Sequence, residues 1–142
     1  MALAIFFFDA MIGNSDRRVI KPNILVRGSE FRLIDHEMAF RDFDLFAPSD
    51  PPWKIGGINW LVTPGAHIFA TQLCKTRRDI DFAPIRSAWE GLSDSQVEAY
   101  EYSVPTEWKD GNRLAAFGVE RIKQCRDRIA DCIIECRRAL DA

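Results

Sequence analysis

The stretch FFFDAMIGNSDRRVIKPNILVRGSEFRLIDHEMAF, from Phe6 to Phe40, changes character twice. An apolar run stops at Gly13-Asn14. A polar, basic loop over residues 14–22 follows, opening Asn14-Ser15-Asp16-Arg17-Arg18 and leaving through Pro22. Two short β-type runs, Asn23 to Arg27 and Phe31 to Asp35, then flank Gly28-Ser29-Glu30, which is a hairpin signal. Ahead of the loop, Ala2 to Gly13 carries phenylalanines that suit a strand, and alanines, leucine and methionine that suit a helix. Its length favours helix, with Gly13-Asn14 as the stop.

Beyond Phe40 the sequence loses its β character. FAPSDPPW (46–53) reads as a proline-rich loop, and GGINWLVTPG (56–65) holds two glycine breaks. Helices are predicted over Ala66 to Lys75 and Phe82 to Glu90. Ser93 and Gln96 form a capping box that opens a short helix through Tyr100. Leu114 to Leu140 reads as one long amphipathic helix, because Leu114, Phe117, Ile122, Cys125, Ile129, Cys132, Ile133, Cys136 and Leu140 recur at threes and fours. The expected fold class is mainly α with one small β-hairpin. No repeat or long linker divides the chain, so residues 1–142 are expected to form one domain, with a loop-and-hairpin segment to residue 40 and helices after it.

Composition narrows the functional classes. With 47% apolar and 28% charged residues and a net charge of −2, the chain has a globular balance. Nucleic acid is not expected as the primary ligand. Asp9 interrupts the apolar start and no basic segment precedes it, so neither a signal peptide nor a membrane span of about 20 apolar residues is expected. Cys125, Cys132 and Cys136 fall on one helix face, unsuited to disulfides, and with Cys74 read as small apolar core residues in a reducing cytoplasm. Trp53, Trp60, Trp89 and Trp108 are scattered, which suits packing better than a ligand platform.

Phosphoryl transfer needs a carboxylate to orient or deprotonate the attacking hydroxyl, and oxygen ligands for magnesium bridging the nucleotide phosphates. Asp16 suits the first role. Asn23 and Asp35 suit the second, because a hairpin folds them back towards each other. Asp16 and Asn14 also suit local loop capping, and Asp35 a turn. Arg17, Arg18 and Lys21 read either as a solvated basic loop or as phosphate contacts. His36 and His67 read as structural histidines.

GNSDRR, PNILV and FRLIDHEMAF together resemble the catalytic segment of HipA-like kinases and, more distantly, that of phosphatidylinositol kinases. The resemblance covers about residues 5–40 and implies a protein-kinase-like C-lobe. It makes Asp16 the catalytic aspartate, Asn14 the loop amide before it, and Asn23 and Asp35 the magnesium ligands. Two positions depart from the pattern: Arg18 stands where a histidine is usual, and Lys21 occupies the usual place of the metal-binding asparagine. An ammonium there opposes metal binding.

Only 15 residues precede Asp16, and no glycine-rich phosphate loop occurs. The expectation is a kinase-derived module without autonomous activity and without a cofactor of its own. It would bind a macromolecular partner, or itself, as an inhibitor or regulator of the sort carried by mobile elements or phage against a host defence complex. The alternative is the catalytic half of a split serine/threonine kinase, using Mg-ATP once an N-lobe chain completes it. Phe6–Phe8, Ile34 and Phe40 are the candidate association face.

Overall fold

The computed structural model describes residues 1–28, 30–40, 50–105, 107–108 and 111–141. Among them it is mainly helical, with one two-stranded antiparallel hairpin, as the sequence pattern predicts. Helix α1 (Ala2–Ile12) closes on Gly13, which takes the left-handed conformation (φ 68°) that a residue without Cβ adopts at little cost. Apolar residues surround α1 on every side, and such a helix is stable only inside a core. Phe6, Phe7, Ala10 and Met11 are all buried. Phe7 meets Phe82 and Trp89 edge-on, with ring centroids 6.3 and 5.9 Å apart. Phe6 and Phe7 are therefore core residues, which corrects their assignment to an association face.

Strands β1 (Ile24–Arg27) and β2 (Glu30–Leu33) pair Ile24 with Leu33 and Arg27 with Glu30. The Ile34 amide donates to the Asn23 carbonyl at 3.0 Å, extending the ladder to the predicted hairpin ends. Helices α2 (Asn59–Val62), α3 (Ala70–Thr76), α4 (Ala83–Glu90), α5 (Asp94–Glu98), α6 (Gly111–Asp127) and α7 (Ile129–Asp141) supply the rest of the core. Pro84 sits in the first turn of α4, where its missing N–H is not needed. The Ser93–Gln96 capping box forms in full. Its helix ends at Glu98, short of Tyr100, and a 3₁₀ turn over Glu101–Ser103 follows.

Two helix expectations are corrected. The segment Leu114 to Leu140 is two helices that part at Arg128. The Cys132 thiol donates to the Cys125 carbonyl at 3.8 Å, and a side chain entering the ladder bends a helix. Arg128 itself turns over the Trp53 ring, 5.6 Å from its centroid. The second correction is α3, which starts at Ala70 rather than Ala66. The Ile68 amide is committed to the Arg17 carbonyl at 3.0 Å and His67 is drawn into the interior, so neither can join the helix. All four cysteines are free, and Cys125, Cys132 and Cys136 are buried, though on two helices. Trp89 packs in the core and Trp53 and Trp60 against it, whereas Trp108 is exposed. The first half of the proline-rich loop expected at 46–53, residues 46–49, lies outside the described residues, which resume at Asp50.

The buried Glu135 of α7 fastens that next segment to the core. It accepts from the Gly56 amide at 2.9 Å and pairs with Arg138 at 2.6 Å. Burial pushes its carboxyl up, but the Arg138 guanidinium and the backbone amides of Ile58 and Gly56 prevail and hold it below the ordinary glutamate value.

Candidate functional site

The loop after α1 divides its charged residues between a dry interior and the surface. Asp9 is fully buried and accepts four hydrogen bonds. Asn14 Nδ2 at 2.9 Å and Arg17 Nη2 at 3.3 Å reach Oδ1; Arg17 Nε at 2.6 Å and His67 Nε2 at 3.1 Å reach Oδ2. The Phe69 amide donates to His67 Nδ1 at 3.1 Å, which places that ring's proton on Nε2, facing Asp9. Burial pushes the Asp9 carboxyl up, but the hydrogen bonds from His67, Arg17 and Asn14 outweigh it and hold Asp9 below the ordinary value.

Arg17 spends the rest of its guanidinium on the Asn23 carbonyl (2.6 Å) and on His36 Nε2 (3.0 Å). An arginine always donates, so His36 accepts at Nε2 and carries its proton on Nδ1. Burial and the adjacent guanidinium lower the His36 pKa. Arg17 is thus neither solvated nor facing an open phosphate position. That expectation is corrected: its donors are drawn inwards by the buried acid Asp9 of α1, and the whole side chain is buried. Asn14 is corrected as well. Its amide nitrogen binds Asp9 and its oxygen accepts from the Asp16 amide at 3.2 Å, so it shapes the loop from inside and meets no substrate position.

The clamp sets the geometry of the surface cluster. By holding the Asn23 carbonyl, Arg17 folds the loop so that Asn23 Nδ2 reaches the Asp16 carbonyl and its Oδ2, both at 3.2 Å. Asn23 (φ 49°) and Asp35 (φ 58°) both adopt the left-handed conformation that Asn and Asp tolerate best among residues with a side chain. Asn23 and Asp35 are folded back towards each other, as the hairpin reading predicts, and the clamp adds Asp16 to them. Arg18 Nη2 lies 2.9 Å from Asp16 Oδ1. Lys21 Nζ lies 2.5 Å from Asp16 Oδ2 and 3.0 Å from Asp35 Oδ2. Carboxylate oxygens of Asp16, Asp35 and Glu37 fall within 4.8 Å of one another.

The chemistry of this cluster follows from its charges. Hydrogen bonds from Lys21 and Arg18 hold the Asp16 carboxyl down to about 2, and those from Asp16 and Asp35 raise the Lys21 ammonium to about 12. An acid that strong is a weak proton acceptor at neutral pH. Arg18 and Lys21 face Asp16, Asp35 and Glu37, two positive charges against three negative, an excess of one negative charge that does not attract a phosphate. A magnesium ion between Asp16 and Asp35 does not fit this arrangement either, since the Lys21 ammonium already bridges the two carboxylates and like charges repel.

No family model matches this chain, and neither a curated protein nor a solved structure matches it.

Three contributors escaped the sequence reading. Asp9 is the single charge in an otherwise apolar helix, a signal that an ion pair waits in the core. Glu37, two residues after Asp35, completes the acidic group. Glu135 lies on the buried side of α7, where an acid is rare unless paired.

Proposed function

We propose that this chain is a kinase C-lobe-like module that acts by binding a macromolecular partner, as an inhibitor or regulator, and transfers no phosphate by itself. One observation carries the reading: the Lys21 ammonium bridges Asp16 and Asp35, the two acids that phosphoryl transfer requires for proton acceptance and metal binding. In this arrangement the cation that neutralises the acids is covalently part of the loop. Arg18 and Asn23 also donate to Asp16, so with Lys21 three of the roughly four acceptor sites of its carboxylate are already taken. Orientation of nucleotide, metal and acceptor supplies roughly 7–11 kcal/mol of such catalysis, and Lys21 stands between Asp16 and Asp35 where the metal would have to sit. The buried Asp9–Arg17 clamp supports a different role for the loop, as a rigid presentation of charged and apolar side chains to a partner.

A second reading is favoured by the carboxylate cluster itself. Asp16, Asp35 and Glu37 converge closely enough to hold a divalent ion if Lys21 swings away, as the catalytic half of a split kinase would require. Calorimetry with Mg-ATP, alongside a phosphotransfer assay on the chain and on Asp16→Ala, separates the two. The binding-module reading expects no micromolar nucleotide binding and no phosphorylation. Micromolar binding together with a phosphorylation signal abolished by Asp16→Ala overturns it.

A further inference from the structure

The hairpin is amphipathic, yet it stands largely uncovered. The register places Ile24, Val26, Phe31 and Leu33 on one face, and Leu25, Arg27, Glu30 and Arg32 on the other. Val26 is 70% and Phe31 41% exposed, and none of the described helices packs broadly against either strand. An isolated two-stranded hairpin is marginal in water and is stabilised by further strands.

The hydrogen-bond phase shows where a further strand fits. Ile34 donates to the Asn23 carbonyl, so residues 23 and 34 are a bonded pair. Alternation along an antiparallel ladder then makes 25 with 32 and 27 with 30 bonded pairs. The N–H and C=O groups of Phe31 and Leu33 therefore point away from β1, along an edge with no strand beside it among the described residues.

We propose that this edge pairs with the same edge of a second copy of the chain, antiparallel about a two-fold axis through Phe31. In that register Phe31 exchanges both backbone hydrogen bonds with its copy. Residues directly opposite share a face, so Glu30 of each copy stands against Arg32 of the other, giving two ion pairs, while the two Phe31 rings meet on the apolar side. Glu30 and Arg32 are both exposed. The charge order is self-complementary about Phe31 alone: an axis through Leu33 sets Arg32 against Ile34 and loses both pairs. The result is a four-stranded sheet with a continuous apolar face. Pairing of this edge is independent of whether the chain transfers phosphate, because Glu30, Phe31 and Arg32, which make the contact, take no part in the cluster around Asp16.

Charge-swap variants followed by sedimentation velocity over a concentration series test it. The native chain is expected to dimerise. Arg32→Glu sets carboxylate against carboxylate at both crossings and is expected to weaken dimerisation at least about tenfold. Glu30→Arg, carried with Arg27→Glu so that the hairpin keeps its own cross-strand pair, is expected to do the same by setting arginine against arginine. An equimolar mixture of the two variants restores opposite charges and is expected to form a heterodimer about as tightly as the native pair. The three substituted residues are exposed, and unchanged circular dichroism checks the fold; should one variant misfold, Phe31→Pro removes the outward N–H on an edge strand that tolerates proline, and is expected to abolish the dimer. A native chain that stays monomeric, a native-like dimer in Arg32→Glu or Phe31→Pro, or folded variants that fail to associate on mixing, overturns the proposal. Capture of a different protein by an edge that shows no self-association overturns it as well.

Discussion

Two aspartates seven residues apart, Asp9 and Asp16, each meet cationic side chains, and they do opposite things. Asp9 is dry, with its four hydrogen bonds coming from three fixed side chains. Asp16 lies at the surface edge of the same loop, where Arg18 and Lys21 reach it with half-exposed stems. The first pair has no water to fall back on, so removing either partner leaves a buried charge unpaired. In the second pair Asp16 is itself buried but its cations stand half in water, so Arg18 and Lys21 can leave it without being stranded. The contrast teaches where fold ends and site begins: at the peptide plane between Asp16 and Arg17, whose side chains part to opposite sides of the loop.

The largest effect is expected from breaking the dry pair. Asp9→Ala or Arg17→Ala should cost about 3–5 kcal/mol of unfolding free energy in a denaturant titration, the usual range for a buried ion pair stripped of one member. The two changes together should cost less than their sum, because each removes the other's stranded charge. An additive double variant would show that Asp9 and Arg17 do not form one unit.

Gly57 gives the next effect. A Cβ there would lie 2.2 Å from the Pro51 carbonyl oxygen, so Gly57→Ala must move the backbone that Glu135 ties down through Gly56. A loss of about 1–3 kcal/mol is expected in the same titration.

A smaller effect joins the two regions through His36, which the Arg17 guanidinium, Asp9, Asp35 and the Phe8 ring surround. Its folded pKa lies below the ordinary 6.5, so the unfolded chain binds a proton first as pH falls. The stability that depends on neutral His36 is complete above pH 6.5 and is lost as pH drops from there through the folded value. His36→Gln keeps an acceptor for Arg17 and should flatten that slope. Asp16 acts in a lower window: its contribution is complete above 3.8 and fades towards about 2.

The smallest effect is expected at the half-exposed cation of the second pair. Lys21→Met should leave the denaturation midpoint almost unmoved, because its ammonium already stands partly in water.

What was legible in the sequence follows the same division. Helix α1, the hairpin and the Ser93–Gln96 box depend on neighbours within a few residues, and all were readable from them. So was the approach of Asn23 to Asp35, since a hairpin closes its own ends. The burial of Arg17 was not readable, because it depends on Asp9 in another element and on His67, which is 58 residues from Asp9. The break at Arg128 was hidden for a similar reason: the apolar spacing continues across it, and only the Cys132 thiol and the Trp53 ring distinguish bent from straight.

Lys21 acts as the resident cation of the Asp16–Asp35 pair. Manganese binding, followed by the loss of the free-ion paramagnetic signal, tests it on the native chain and on Lys21→Met, whose thermal melts should coincide. No binding to the native chain is expected at micromolar manganese, and at least about a tenfold gain in affinity is expected once the ammonium is gone. Micromolar binding to the native chain, unchanged by Lys21→Met, would contradict it.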